Sequence, residues 1–166
     1  IETIEIPQKL KMAETLEKVA LQFDSRVQNV PYSGYTETKS KNHLWTSAGT
    51  KLQSESGGIS MYAYALSQSG EDKKVGMASR FYRDPKTLNP DLIATEAAKR
   101  SVGLLGAVQP KSGNYAVVIF NEVAAKLLSF LNLHLSAKSL DEGLSLLHGR
   151  KGEQIFSSKI SITDDP

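Results

Sequence analysis

Three histidines, His43, His134 and His148, are the only neutral nitrogen ligands for a metal in this chain, and cysteine is absent. Zinc sites recruit such nitrogens in pairs one helical turn apart, or beside cysteine pairs, and none of the three has a neighbour of that kind. His43 is therefore expected on an exposed strand, and His134 and His148 at helix ends, where a histidine complements the carbonyl end of the dipole. Asp141, Ser145 and His148 are spaced so that a helix would bring a carboxylate, a hydroxyl and an imidazole to one face. In that order serine stands in the middle, whereas a nucleophilic triad needs histidine between the other two and an oxyanion hole; no Gly-x-Ser-x-Gly turn occurs. The set reads as a solvated helix face. Gly57-Gly58 lacks the spacing of a phosphate-binding loop and is expected to make a β-bulge or a bend. The aromatics Tyr62, Tyr64, Phe81 and Tyr82 suit stacking on a base or peptide, or cross-strand packing. No catalytic, metal-binding or cofactor-binding residue is assigned within the chain.

The elements that would carry these residues follow from periodicity. Residues Thr3 to Ile6 are expected as a short strand, followed by a helix whose stripe is Leu10, Ala13, Leu16, Val19, Ala20 and Phe23. From Arg26 to Arg83 the texture is β, with clear alternation in Ile59, Met61, Ala63, Ala65 and in Val75, Met77, Ser79, Phe81. About four antiparallel strands are expected there, turning at Lys41-Asn42, Ala48-Gly49 and Ser69-Gly70-Glu71-Asp72. Asn89-Pro90 reads as a helix start, and Ala94, Ala97, Ala98 and Ser101 give that helix a small-residue face for close packing on the sheet. After a linker at Pro110 to Asn114, the run Ala116 to Phe120 is expected as a strand buried on both faces. Asn121 would cap a helix carrying Val123, Leu127, Leu128, Leu131 and Leu135, and Ser139 with Glu142 would form the capping box of another ending near Gly149. Ile160 to Thr163 alternates like a strand that Asp164-Asp165-Pro166 would end. The fold class is α+β, with a helix-plus-sheet unit over residues 1–110 and the start of a second α/β unit over 114–166.

Composition narrows the function classes. A hydrophobic fraction of 40% and a charged fraction of 23% are those of a soluble globular protein, and no apolar run approaches the ~18 residues that span a bilayer. The net charge of +2, with both signs interspersed, gives no basic field for nucleic acid. The chain opens at Ile1, without a start methionine or leader pattern, and reads as an excerpt of a longer one.

Several short segments in order, Asn114 to Phe120, Ala124 to Leu131, Leu135 to Ser139, Gly149 to Phe156 and Ile162 to Pro166, resemble the central region of PmbA/TldE proteins. Gly152-Glu153-Gln154-Ile155-Phe156 and Asp164-Asp165-Pro166 are the most specific. Upstream, Asp24 to Val27, the hairpin at Trp45 and the Arg83-Asp84-Pro85 step extend the likeness over nearly the whole chain. The resemblance implies the PmbA/TldD family, some of whose members carry the name modulator of DNA gyrase. It implies a soluble, cytoplasmic bacterial or archaeal peptidase system in which TldD and TldE form a heterodimer that trims peptides, matures a microcin and degrades an antitoxin.

In TldD, by the same resemblance, a His-Glu-x-x-x-His helix binds zinc and positions the attacking water. Matching Leu127-Leu128 to the residues before that motif puts Ser129 at the first histidine, Phe130 at the glutamate and His134 at the second histidine. One ligand cannot hold a metal, and a phenyl ring cannot act as a base. The resemblance thus implies the non-catalytic TldE side, with zinc in a TldD-type partner, peptide substrates, and a heterodimer or self-association. Two alternatives stay open: an autonomous zinc peptidase with ligands outside this segment, and a regulator that touches gyrase directly.

Overall fold

Period-two alternation from Arg26 onward folds as a three-stranded antiparallel meander, β1 (Val27–Trp45), β2 (Lys51–Ser69) and β3 (Asp72–Tyr82), in the order β1-β2-β3. The computed structural model describes residues 4–163. They divide into two units, one up to Pro110 and one from Lys111 onward. The chain is α+β.

The sheet has three strands where the turn residues suggested about four. Lys41 and Asn42 do not turn: they continue β1 and pair with Glu55 and Ser54. A turn needs both strands to reverse at one place, and here the reversal falls at Ala48-Gly49, where Gly49 adopts the positive φ of 85° that favours glycine. The second reversal is at Gly70, with φ 59°, as expected. Gly57-Gly58 is neither bulge nor bend; both residues pair in register with Lys39 and Thr38. The register shifts lie instead between Val27 and Tyr32, beside Pro31, whose ring cannot donate to the ladder.

Helices α1 (Ile6–Phe23) and α2 (Pro90–Gly103) pack on one face of this sheet. Proline near the start suits α1, and Asn89 caps α2 by accepting a hydrogen bond from the Leu92 amide at 2.9 Å. Ile6 is already helical and Ile4-Glu5 is irregular, so the expected opening strand does not form there; Thr3 lies outside the described residues. Only the middle of the α1 stripe is buried, at Leu16 and Ala20, while Leu10 and Phe23 are exposed.

The core is made mostly of small side chains. Ala63, Ala65 and Ala78 from the sheet meet Ala94, Ala97 and Ala98 from α2, with Ile59, Met61, Leu16 and Ile93 as the large fully buried groups. Each of those four contributes about 1.5–3 kcal/mol on burial, so the rest must come from close contact between backbones. Gly76 is where that contact is tightest: a Cβ there would lie 2.2 Å from the Ser101 amide nitrogen and 2.3 Å from the Ala97 carbonyl oxygen. Beside it Ser67 and Ser101, both fully buried, hydrogen-bond through their hydroxyls at 2.7 Å. Ser101 donates its proton to the Ala98 carbonyl, so Ser67 is the donor in the pair. Beyond the helices β1 and β2 run on as a two-stranded arm, exposed on both faces, that ends at Trp45 and Lys51.

The second unit holds three short helices among its described residues, α3 (Asn121–Ser129), α4 (Leu131–Leu135) and α5 (Ala137–Asp141). The expected long helix from Asn121 breaks at Phe130. Ser139 is not a cap but sits within α5, its carbonyl accepting from the Leu144 and Ser145 amides, and Gly143 with φ 69° ends the helix long before Gly149. Ala116 to Phe120 is not a strand, and Val117 and Val118 are 75% and 87% exposed. An apolar run becomes a buried strand only beside others, and among the described residues none lies next to it. Ile160 to Thr163 likewise makes no strand, and the Asp164-Asp165-Pro166 stop lies outside the described residues.

Gly76→Ala is expected to lower the unfolding free energy by about 1–3 kcal/mol or more, since helix backbone must retreat to admit the methyl group. Ser101→Ala should cost about 1–3 kcal/mol by stranding the Ser67 hydroxyl, and the double Ser67→Ala/Ser101→Ala variant should recover part of that loss. Urea unfolding of the variants measures each, and an unchanged midpoint for Gly76→Ala would contradict the seating of α2 described here.

Candidate functional site

His43 lies on the exposed arm, paired across the strands with Gln53, as its sequence context suggested. His134 is near the end of α4, and its Nδ1 accepts a long hydrogen bond from the Leu146 amide at 3.3 Å. His148 is not on a helix; it occupies a turn where Nδ1 donates to the Leu140 carbonyl at 3.0 Å. With α5 ending at Asp141, the helical face that would have gathered Asp141, Ser145 and His148 does not exist. The Ser145 hydroxyl is committed to structure, donating to the His134 carbonyl at 2.6 Å and accepting from the Leu147 amide at 3.0 Å. A hydroxyl so held pins the loop to α4 and presents no free nucleophile.

The positions that a zinc-binding helix would use are equally occupied. The Ser129 hydroxyl donates to the Lys126 carbonyl at 2.6 Å, Phe130 is 71% exposed with a ring that offers no lone pair, and His134 stands on a separate helix with Nδ1 engaged. This donor set does not fit a zinc ion. Among the described residues no three His, Cys, Asp or Glu side chains come together as a metal site.

The first unit carries the groups whose ionisation is most perturbed. Glu37 on β1 pairs with Lys9 of α1 at 2.7 Å and accepts from the Tyr35 hydroxyl at 3.2 Å, while the Lys9 ammonium lies 5.7 Å from the centre of the Tyr35 ring. Burial, then the hydrogen bond to Glu37, pushes the Tyr35 phenol up to about 12. Lys9 holds the Glu37 carboxyl below the usual range. This cluster staples α1 to β1. A spacing of two on a strand, Tyr35 and Glu37, was its signal in the sequence, but nothing there named Lys9 as the partner. A second network joins β3 to α2, where Glu96 bridges Arg80 and Arg100 and Arg100 donates to the Met77 carbonyl. Asp72 accepts from Lys74 and from the Gly106 amide, and both interactions lower its pKa.

The four hairpin aromatics divide between the faces of the sheet. Tyr82 faces the helix side, its hydroxyl buried without a hydrogen-bond partner among the described residues. Tyr62, Tyr64 and Phe81 face away from the helices, and Tyr62 and Tyr32 each meet Tyr64 edge-on at 6.2 and 6.0 Å. Tyr32, Tyr62 and Tyr64 border an open groove of about 600 Å³ with Pro31, Val75 and Met77.

Residues 1–105 match the model of the PmbA/TldA metallopeptidase central domain, and residues 112–166 match that of the PmbA/TldA metallopeptidase C-terminal domain. A Thermotoga maritima protein named as a modulator of DNA gyrase has a similar crystal structure, with a TM-score of 0.82 and 28% identity, covering 91% of this chain and 35% of that one. A Bacteroides thetaiotaomicron protein named likewise shares the fold, with a TM-score of 0.78 and 23% identity, over 88% of this chain and 33% of that one. The chain thus spans about a third of the length of each structure. No curated protein sequence matches it.

Stability should depend on pH through the staple at both extremes. Glu37 is depressed in the folded state, so its contribution is present above the ordinary glutamate range and is lost as pH falls through it. Tyr35 is raised, so its contribution holds below pH 10 and is lost as pH rises from 10 towards 12. Phenolate absorbance of the protein against Tyr35→Phe should place this titration near 12, and Glu37→Gln should lower it only in part, because burial is the larger cause. A Tyr35 titration near 10 in the folded protein would contradict this.

Proposed function

Because the chain belongs to the PmbA/TldD metallopeptidase family, we propose that it is part of a non-catalytic, TldE-like subunit of a two-component peptidase. The observation that carries this reading is the side-chain set at Ser129, Phe130 and His134, which offers one imidazole where a metallopeptidase needs several ligands and a base. The zinc and the water it activates would belong to a TldD-type partner, and a water held there would ionise near pH 7. This chain would contribute walls and framework: among the described residues its sheet has an unpaired edge along β1 and another along β3, each able to hold an extended peptide through backbone hydrogen bonds. The proposal includes a cytoplasmic setting. No described helix is long and apolar enough to cross a membrane.

The whole protein, purified alone, is expected to hold no stoichiometric zinc and to leave peptides intact, and to support chelator-sensitive cleavage only when mixed with a TldD homologue from the same genome. Zinc and activity in the protein alone would instead mean an autonomous peptidase. His134→Ala should leave activity of the mixture within about twofold, since the imidazole binds no substrate or metal, while loosening the loop that docks on α4 by the loss of one long hydrogen bond. A drop in activity of a hundredfold or more would return His134 to the chemistry.

A further inference from the structure

We infer that the free edge of β2, beyond the end of β3, binds an extended peptide that runs parallel to β2 and ends with its C-terminal carboxylate at Arg83 and Lys39. The inference deepens the peptide-handling part of the proposal above and rests on it. It starts from unequal strand lengths. β2 begins at Lys51, but its pairing with β3 begins only at Ile59, opposite Tyr82. Over residues 51–58 one edge of β2 is covered by β1, and among the described residues no backbone group bonds to the other. In a strand every second residue directs both its N–H and its C=O to the same edge. The open stretch is therefore a row of unmade backbone hydrogen bonds roughly 25 Å long, enough for a peptide of about seven residues. A strand added there would lie in line with β3 and extend the sheet along the arm.

The row is open at the tip of the arm and closed where β3 stops. At the closed end Lys39, Glu55, Gly58, Phe81 and Arg83 line a hollow of about 640 Å³. The Glu55 carboxylate is already taken by Lys41, at 2.6 Å. Among the described residues Arg83 makes no hydrogen bond or ion pair, and Lys39 has none beyond a Coulombic attraction to Glu55. Two cations thus stand ready for an anion at the blind end of an unfilled strand position.

Charge then fixes the direction of the peptide. A strand running antiparallel to β2, as β3 does, would bring its N-terminal ammonium into this hollow against both cations. A strand running parallel brings its carboxylate, which the guanidinium fork of Arg83 can take through two hydrogen bonds. Gly58 leaves the floor bare, and the Phe81 ring lies over it, within 2.1 Å of where a Cβ would stand. That ring, 64% exposed, gives the last side chain of the peptide an apolar neighbour. The site therefore selects a free carboxylate that follows an apolar residue at the end of an extended chain. A small anion would meet the charge and leave the edge unpaired.

The test uses the full-length protein, with a chelator present so that cleavage does not enter, and an N-terminally labelled heptapeptide of serine, threonine and valine ending in leucine. Anisotropy is expected to show binding at micromolar concentration. In competition, the unlabelled peptide should lose about tenfold on amidation of its C terminus, about tenfold or more on N-methylation of alternate amides, and less than about threefold on acetylation of its N terminus. Acetate at the same concentration should not displace the probe. Arg83→Gln should erase the advantage of the free acid over the amide, while Lys18→Gln, which removes the same charge from α1, should leave it unchanged within about twofold. Both positions are exposed, and circular dichroism checks that each variant folds. No binding, equal affinity for acid and amide, indifference to N-methylation or to Arg83→Gln, or displacement by acetate would each overturn the inference. Zinc content and activity of the protein alone judge the peptidase reading separately, so the failure of one is distinguishable from the failure of the other.

Discussion

The contact between α2 and the sheet at Gly76 is the constraint on which the first unit depends. Helix backbone approaches strand backbone so closely that no side chain fits between them, and Ala97 and Ser101, which make the closest approach, are small. Few large apolar groups are buried, so cohesion comes from dispersion between well-fitted surfaces rather than from the volume of oil removed from water. The Ser67–Ser101 pair belongs to this economy: two hydroxyls occupy a site too narrow for larger apolar groups and satisfy one another. Spending the small residues on the helix side leaves the aromatic ones for the opposite face, where Tyr62 lies over Gly34 and Phe81 over Gly58.

Much of this was legible in the sequence because it is local. Asn89-Pro90, the alternation from Ile59 to Ala65 and the small face of α2 each encode their structure within a few residues. The length of the hairpin was not legible, since Lys41-Asn42 has the chemistry of a turn and only pairing with distant Glu55 and Ser54 keeps it straight. The run from Ala116 to Phe120 failed for the converse reason: its composition states a preference for a sheet interior, and composition cannot supply the neighbouring strands. Ser139 and Glu142 have the spacing of a capping box, but the positive φ at Gly143 ended the helix before the pattern could act.

The candidate chemistry that rested on residue type does not depend on the fold, and that which rested on spacing did. That Ser129 and Phe130 cannot replace a histidine and a glutamate follows from their atoms, whatever the fold. That Asp141, Ser145 and His148 would share a face required a helix, and the hydroxyl of Ser145 turned out to be holding the loop together. The hairpin aromatics could not all share a face, because successive strand residues point to opposite sides and Phe81 and Tyr82 are adjacent.

The sole tryptophan, Trp45, stands at the tip of the arm and is 75% exposed, far along the strand from the helices and their core. Intrinsic fluorescence of this chain therefore reports on the end of a hairpin and is nearly blind to the core. A melt followed by emission would register fraying of the arm, and one followed by helical ellipticity would register release of α1 and α2. Two transitions that fail to coincide here would describe two places in one molecule, and would say nothing about a populated folding intermediate.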